Sequence, residues 1–344
     1  MTTAVPGRVA VHVRIRPPFK EEADSPNYQC VVRGLSRADV QKVSLLLSPD
    51  CNREFHFDHV FPPESTQETI YRTTAFSIVQ DVMRGVNGTL LAYGQTGTGK
   101  TYTMGILDGV KMGGKNTGII PTSMQHIFEY TSSHPEIQWH IKMSFLQIYM
   151  ENYGGGTIHH LQDLLNPASC TRLGVPSTTL NPTTWHSHPS TQPLLVIYTC
   201  LHHPGYHPPS SQIQDLLNPD PTIESLPLRE SPDQGFFVDG LREIEVRTPD
   251  EAYEVINTAL QNRCMAPTYM NITSSRSHTV LTVTVTQQQE HRASFGMGHG
   301  PPGAAPPGPA PEVTYHKSIT SKLILVDLAG SERIKKTSSE GPFE

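Results

Sequence analysis

The run Ala92-Tyr93-Gly94-Gln95-Thr96-Gly97-Thr98-Gly99-Lys100-Thr101-Tyr102-Thr103-Met104 carries the side chains with the clearest chemistry. Gly94 to Thr101 fits G-x-x-x-x-G-K-[ST], a pattern that builds a cradle for phosphate groups. The glycines let the backbone approach phosphate oxygens and turn its N–H groups inward. Lys100 offers a point charge to the outer phosphates, and the Thr101 hydroxyl can ligate Mg²⁺. A helix beginning here presents its positive dipole end to the anion. The apolar stretch Leu90-Leu91-Ala92-Tyr93 supplies the buried strand that such a loop must leave. A Gly/Thr-rich surface turn is the bland alternative. The upstream strand and the complete Gly-Lys-Thr disfavour it.

Holding a nucleotide is not turning it over. Hydrolysis needs a Mg²⁺ partner, an ordered water and a group that senses the γ-phosphate. Leu325-Val326-Asp327-Leu328-Ala329-Gly330 is an apolar strand ending in Asp and then Gly. Asp327 can hold Mg²⁺ through water, and the Gly330 amide can bond the γ-phosphate and so report its loss. Asn271-Ile272-Thr273-Ser274-Ser275-Arg276-Ser277-His278 packs hydroxyls, a guanidinium and an imidazole together. It is either a polar loop before a strand or a set of hydroxyls that completes Mg²⁺ and orders the attacking water. Arg276 suits a bidentate pair with a carboxylate, for which Glu332 in Ser331-Glu332-Arg333 is the natural candidate. Such a latch forms only when both loops close on triphosphate, which couples nucleotide state to shape. His159-His160 and His202-His203 lack a carboxylate or cysteine at ligand spacing and point to no metal centre.

The elements that must position these groups follow from pattern. Val9–Ile15 alternates apolar and polar residues and reads as a first strand, ended by Pro17-Pro18. Val43–Leu47 and Glu54–Phe57 are weaker strands. Ser65-Thr66-Gln67-Glu68 fits a capping box. Behind it Ile70, Thr74, Ile78 and Val82, flanked by Tyr71, Ala75, Val79 and Met83, form one face of a helix closed by Gly85. Pro121–Tyr130 predicts a helix and Trp139–Tyr149 a long strand. Gly235–Val246 reads as a strand. Pro249–Asn262 reads as a helix with Ala252, Val255, Ile256, Ala259 and Leu260 on one face. Thr279–Thr286 and Lys322–Asp327 are further strands.

The 344 residues allow one large domain or two modest ones. With 26 basic against 32 acidic side chains the formal charge is −6, so no global field favours nucleic acid or an anionic membrane. Cys30, Cys51, Cys170, Cys200 and Cys264 are scattered, as reduced thiols of a cytosolic protein would be. Nothing near Met1–Val13 resembles a signal peptide and no apolar run spans a bilayer, so an intracellular, soluble protein is expected.

Two stretches stand apart. Gln162-Asp163-Leu164-Leu165-Asn166-Pro167 recurs verbatim as Gln214–Pro219. Between Tyr153 and Gln212 the only charged side chains are Asp163 and Arg172, among many histidines and prolines. That composition predicts a disordered insertion over 153–212, or untranslated sequence joined into the frame. Removing it would join Asn152 to Ile213. A Gly/Pro-rich loop is expected over 287–316, centred on the uncharged stretch Gly296–Pro311.

In combination, Val13-Arg14-Ile15-Arg16-Pro17, Ala92–Met104, Asn271–His278 and Asp327–Arg333 resemble the four nucleotide motifs of the kinesin motor domain, in that family's order. The resemblance covers Arg8–Asn152 and Ile213–Gly341, and Lys322–Arg333 with Gly105–Gly118 looks closest to the armadillo-repeat kinesins. It implies an α/β P-loop NTPase with a mostly parallel eight-stranded sheet flanked by helices. It implies Mg²⁺ and ATP as cofactors, microtubules (tubulin) as partner, and ATP-driven movement in the cytoplasm on the cytoskeleton. Arg14, Arg16 and Pro17 would border adenine and Tyr102 would stack on it. Gln95, Thr96, Gly97, Thr98, Gly99, Lys100 and Thr101 would wrap the phosphates. Thr101, Ser275 and Asp327 would serve the metal. Ser274 would approach the water, and Gly330 with Glu332, paired to Arg276, would form the second switch. The family chain continues past this point into a long microtubule-binding helix and a central strand. Residues 1–344 are therefore expected to be a single partial motor domain, incomplete at its C-terminus and with no neck or coiled coil to set an oligomeric state. Only Arg333, Lys335 and Lys336 form a basic cluster near that surface, which could equally be an ordinary solvated loop. A non-motile nucleotide-dependent switch or scaffold is the competing function. A GTPase fits poorly, because no Asn-Lys-x-Asp-like guanine reader follows Asp327.

Overall fold

A computed structural model describes residues 9–24, 32–36, 41–48, 51–106, 117–149, 212–220, 222, 225–231, 235–265, 277–294 and 312–331. Its centre is a six-stranded sheet. Strands β6 (Gly88–Ala92), β13 (Glu312–Asp327), β12 (Ser277–Ser294) and β7 (Gln138–Tyr149) lie side by side in that order. The far edge of β7 is shared by β11 (Ile244–Val246), opposite Ile141–Met143, and β8 (Gln212–Asp215), opposite Leu146–Tyr149. The β6–β13 pair is parallel and the others are antiparallel. The mostly parallel eight-stranded sheet expected from the resemblance is thus, among the described residues, a mixed six-stranded one. A further parallel pair, β1 (His12–Arg14) with β5 (His59–Phe61), is separate. The mixed character of the central sheet centres on β12, which runs antiparallel to both of its neighbours, β13 and β7.

Alternation sets the two faces. Phe145, Leu281, Val283 and Leu325 point into the larger core, with Ile70, Val79, Met83, Met124 and Ile127 of the covering helices. Leu146, Ile148, Val280, Ile324 and Val326 point the other way into a second core. A strand buried on both faces reads as one continuous apolar run, which is how Leu323–Val326 looks in the sequence.

Several expectations shift. The cap sits one residue later than the capping box proposes: Thr66 Oγ1 accepts from the Thr69 amide at 3.1 Å, while Glu68 pairs with Arg72 at 2.9 Å. The single helix behind it is two segments, α2 (Gln67–Thr74) and α3 (Phe76–Met83). The Thr73 and Thr74 hydroxyls donate back to the Thr69 and Ile70 carbonyls, which loosens the helical ladder at the join. Gly85 closes α3 at φ +94°, with Ile319 packed where a Cβ would stand. The strand expected over Gly235–Val246 is two: β10 (Gly235–Val238) pairs with β9 (Leu228–Ser231), and β11 joins β7 after a turn at Gly240, φ +83°. The loop expected over 287–316 is shorter at both ends, because Gln287–Ser294 pairs with Glu312–Ile319. Backbone ladders need no apolar side chains, so this polar ribbon carries no hydrophobic signal. Of the expected insertion, Gln212 opens β8, and residues 153–211 lie outside the described residues. No helix among the described residues is long and apolar enough to cross a membrane.

Candidate functional site

The parallel pairing of β6 with β13 places Ala92 beside Asp327. Both chains leave the sheet at this level and stay bonded: the Leu328 amide donates to the Ala92 carbonyl at 3.2 Å and the Ser331 amide to Gly94 at 3.1 Å. The phosphate loop and the Asp327 loop therefore form one lip at the end of the sheet. Gly94, Gly97 and Gly99 adopt φ of +150°, +80° and +93°, backbone that L side chains rarely take. A Cβ on Gly97 or Gly99 would meet nothing within 4 Å, so it is the backbone conformation and not crowding that calls for glycine at these two positions.

Three side chains converge there. Lys100, opening the helix α4 (Lys100–Met104), donates from Nζ to the Gly94 and Gln95 carbonyls, both at 2.9 Å. Thr101 Oγ1 donates to Asp327 Oδ2 at 2.7 Å across 226 residues of chain. Arg263, in the last turn of helix α6 (Pro249–Met265), lies 3.7 Å from the same oxygen. Burial pushes the Asp327 carboxyl above the usual range, against the opposing pull of Thr101, Arg263 and Lys100. Asp327 Oδ1 is buried and has no hydrogen-bond partner among the described residues. A positive-φ glycine loop, a lysine amine on the lip, and a hydroxyl paired with a half-engaged carboxylate fit the donor set that a Mg²⁺-nucleoside triphosphate requires.

The expected base-binding residues divide. Arg14 Nη1 donates to Gln67 Oε1 at 2.8 Å and to Thr103 Oγ1 at 2.9 Å, and its guanidinium lies 5.1 Å from the Tyr102 ring centre. Gln67 Nε2 donates to the Tyr102 carbonyl at 2.7 Å, which locks the group. Tyr102 stays partly exposed. Arg16 turns elsewhere: it pairs with Glu22 at 2.7 Å and covers the Phe19 ring at 4.2 Å, and its Nη1 donates to the Pro17 carbonyl at 3.1 Å. Thr98 Oγ1 donates to the Gln95 carbonyl at 2.8 Å, tightening the loop, and Thr96 and Gly330 lie on the same lip. Ser274, Ser275, Arg276 and Glu332, with the basic residues Arg333, Lys335 and Lys336, lie outside the described residues.

The sequence reading missed Gln67, Arg263 and any role for His278. Arg263 continues the apolar stripe of Ala252, Ile256, Ala259 and Leu260 yet is 6% exposed. A charge on a core-facing position was the available signal. His278 Nδ1 accepts the Ala329 amide hydrogen at 3.0 Å, joining the start of β12 to the loop after β13. Burial and then the Lys100 charge push its imidazole down to about 4. A depressed histidine pKa contributes stability that is complete above the unfolded value and lost as pH falls through the folded one. Chain stability should therefore decline between pH 6.5 and about 4 by about 1.4 kcal/mol per unit more than in His278→Asn. Chemical denaturation of both proteins across that window measures it; equal slopes would show that His278 stays outside the balance.

Comparison with known proteins adds the rest. The family profile described as the kinesin motor domain matches residues 14–191 and 210–343. The match enters the 153–212 stretch as far as residue 191, where the motif resemblance had stopped at Asn152. The chain is 33% identical over 286 residues to a kinesin heavy chain of Caenorhabditis elegans, covering 83% of this chain and 24% of that one. It is 29% identical over 293 residues to kinesin-related protein 3 of Dictyostelium discoideum, covering 85% and 17%. It thus spans about a fifth of the length of these curated relatives. A solved structure of a fast kinesin superposes with a TM-score of 0.63 at 27% identity, covering 97% of this chain and 69% of that one.

Proposed function

Because the chain belongs to the kinesin motor domain family, we propose that it binds and hydrolyses Mg²⁺-ATP and couples that cycle to microtubule binding and movement along microtubules. The observation that carries the nucleotide half is the Thr101–Asp327 hydrogen bond of 2.7 Å beside a loop of positive-φ glycines. Mg²⁺, when bound, neutralises charge on the phosphate oxygens. Thr101, Asp327 and Ser275 are the residues that would hold it. Lys100 exchanges the Gly94 and Gln95 carbonyls for outer phosphate oxygens, while the amides of Gln95 to Thr101 line the rest. Tyr102 offers its exposed ring to the adenine, with Arg14 fixing its position; Pro17 borders the base, and Arg16, held by Glu22 in this structure, would have to leave that pair to join it. Ser274 orders the attacking water. The Gly330 amide meets the γ-phosphate, and closure brings Arg276 to Glu332. The comparisons with kinesin heavy chains support microtubules as the partner and the cytoplasmic cytoskeleton as the place of action.

ATP turnover by the full chain with and without polymerised tubulin tests this reading. Strong stimulation by the filament is the expected result. Nucleotide binding with unstimulated turnover would identify instead a non-motile nucleotide-dependent switch or scaffold, and absence of both would overturn the assignment.

A further inference from the structure

Three adjacent strands change character on the same rung. On the larger-core face, β7 runs Ile141, Met143, Phe145 and then Gln147; β12 runs Val285, Val283, Leu281 and then Thr279; β13 runs Leu323, Leu325 and then Asp327. Register places Gln147 opposite Thr279 and Thr279 opposite Asp327. Directly opposed residues share a face, with Cβ atoms about 4.5–5.5 Å apart. The three residues are 1%, 0% and 1% exposed. Gln147 Oε1, Thr279 Oγ1 and Asp327 Oδ1 are all buried without a hydrogen-bond partner among the described residues.

A buried polar atom left unbonded costs about 1–3 kcal/mol, so three in one contiguous row point to a shared partner. Their chemistry defines it. Gln147 Oε1 and the Asp327 carboxylate accept, while the Thr279 hydroxyl can donate. One water gives two hydrogens and takes one, which satisfies all three atoms from a position over Thr279, the middle of the row. Asp327 Oδ2 is already engaged by Thr101. A bond on Oδ1 therefore fixes the rotation of the carboxylate and decides how squarely Oδ2 faces the phosphate loop.

We propose that Gln147 and Thr279 are positioning residues, which hold the outer oxygen of Asp327 through one buried water and thereby orient its carboxylate toward Thr101. The inference rests on Asp327 serving a Mg²⁺-nucleotide, as in the proposed function. Outer partners of this kind commonly change metal affinity tenfold or more when removed.

Thr279→Val removes the hydroxyl at nearly constant volume, Thr279→Ser keeps it, and Gln147→Met removes the amide. Two measurements on the full chain decide the matter. The first is stability without nucleotide. An isolated buried hydroxyl makes Thr279→Val neutral or stabilising, whereas a water-linked one makes it destabilising, with Thr279→Ser nearer wild type. The second is the Mg²⁺ concentration giving half-maximal retention of a fluorescent ADP analogue. It should rise about tenfold in Thr279→Val and Gln147→Met and stay near wild type in Thr279→Ser, with affinity in EDTA unchanged. A more stable Thr279→Val, or an unchanged Mg²⁺ midpoint in a destabilised one, would overturn the positioning role. A wild-type chain that binds no Mg²⁺-nucleotide would sink the functional reading instead. The nucleotide-free stability comparison would still decide whether the row shares a water.

Discussion

Replacing Lys100 with alanine is expected to lower Mg²⁺-ATP affinity by at least about 100-fold, the equivalent of about 3 kcal/mol for a charge-assisted contact to phosphate. The loop offers the outer phosphates one mobile cation at its lip, and the Lys100 amine already stands there on the Gly94 and Gln95 carbonyls. Those carbonyls are weaker acceptors than phosphate oxygens, so the nucleotide wins the exchange. The variant should fold, since Lys100 is only half-buried and its bonds to Gly94 and Gln95 are made to loop carbonyls. Equilibrium titration with a fluorescent ATP analogue reads the effect. Affinity within threefold of wild type would place the phosphates elsewhere.

Arg263→Ala should cost about 3 kcal/mol of stability, because it strips a compensating charge from a buried carboxylate. Both partners are almost fully enclosed, at 7% and 2% side-chain exposure. The pair need not be net stabilising against apolar residues, but removing one partner leaves the other's desolvation unopposed. Asp327 is already pushed upward by burial, and Arg263 is one of the groups that restrain it. The double change Arg263→Ala with Asp327→Asn should recover part of the loss, since no charge is then stranded. Urea denaturation of the two single variants and the double closes the cycle. Additive effects would mean that the 3.7 Å approach carries no coupling.

Both halves of the site were visible in the sequence, but their meeting was not. Gly94–Thr101 and Leu325–Gly330 are local patterns whose chemistry follows from residue type and spacing. Their meeting depends on the parallel register of β6 and β13, which puts Ala92 beside Asp327 and which no local pattern encodes. The core strands were legible where burial on both faces leaves an apolar run, as at Leu323–Val326. The same strand's beginning, from Glu312, was not, because its polar ribbon with Gln287–Ser294 is held by backbone bonds. Helix Pro249–Met265 announced its apolar face but not that Arg263 belongs to it, since a periodicity search counts apolar residues and skips the charged one. The rung of Gln147, Thr279 and Asp327 needed three strands in register before it existed as a feature.

Calorimetric titration of the full chain with ATP, at millimolar Mg²⁺ and again in EDTA, tests most directly whether the glycine loop and Asp327 form one metal-nucleotide site. One saturable site in Mg²⁺, markedly weaker in EDTA and lost in Lys100→Ala, is the predicted result. Absence of binding, or binding indifferent to both Mg²⁺ and Lys100, would contradict it.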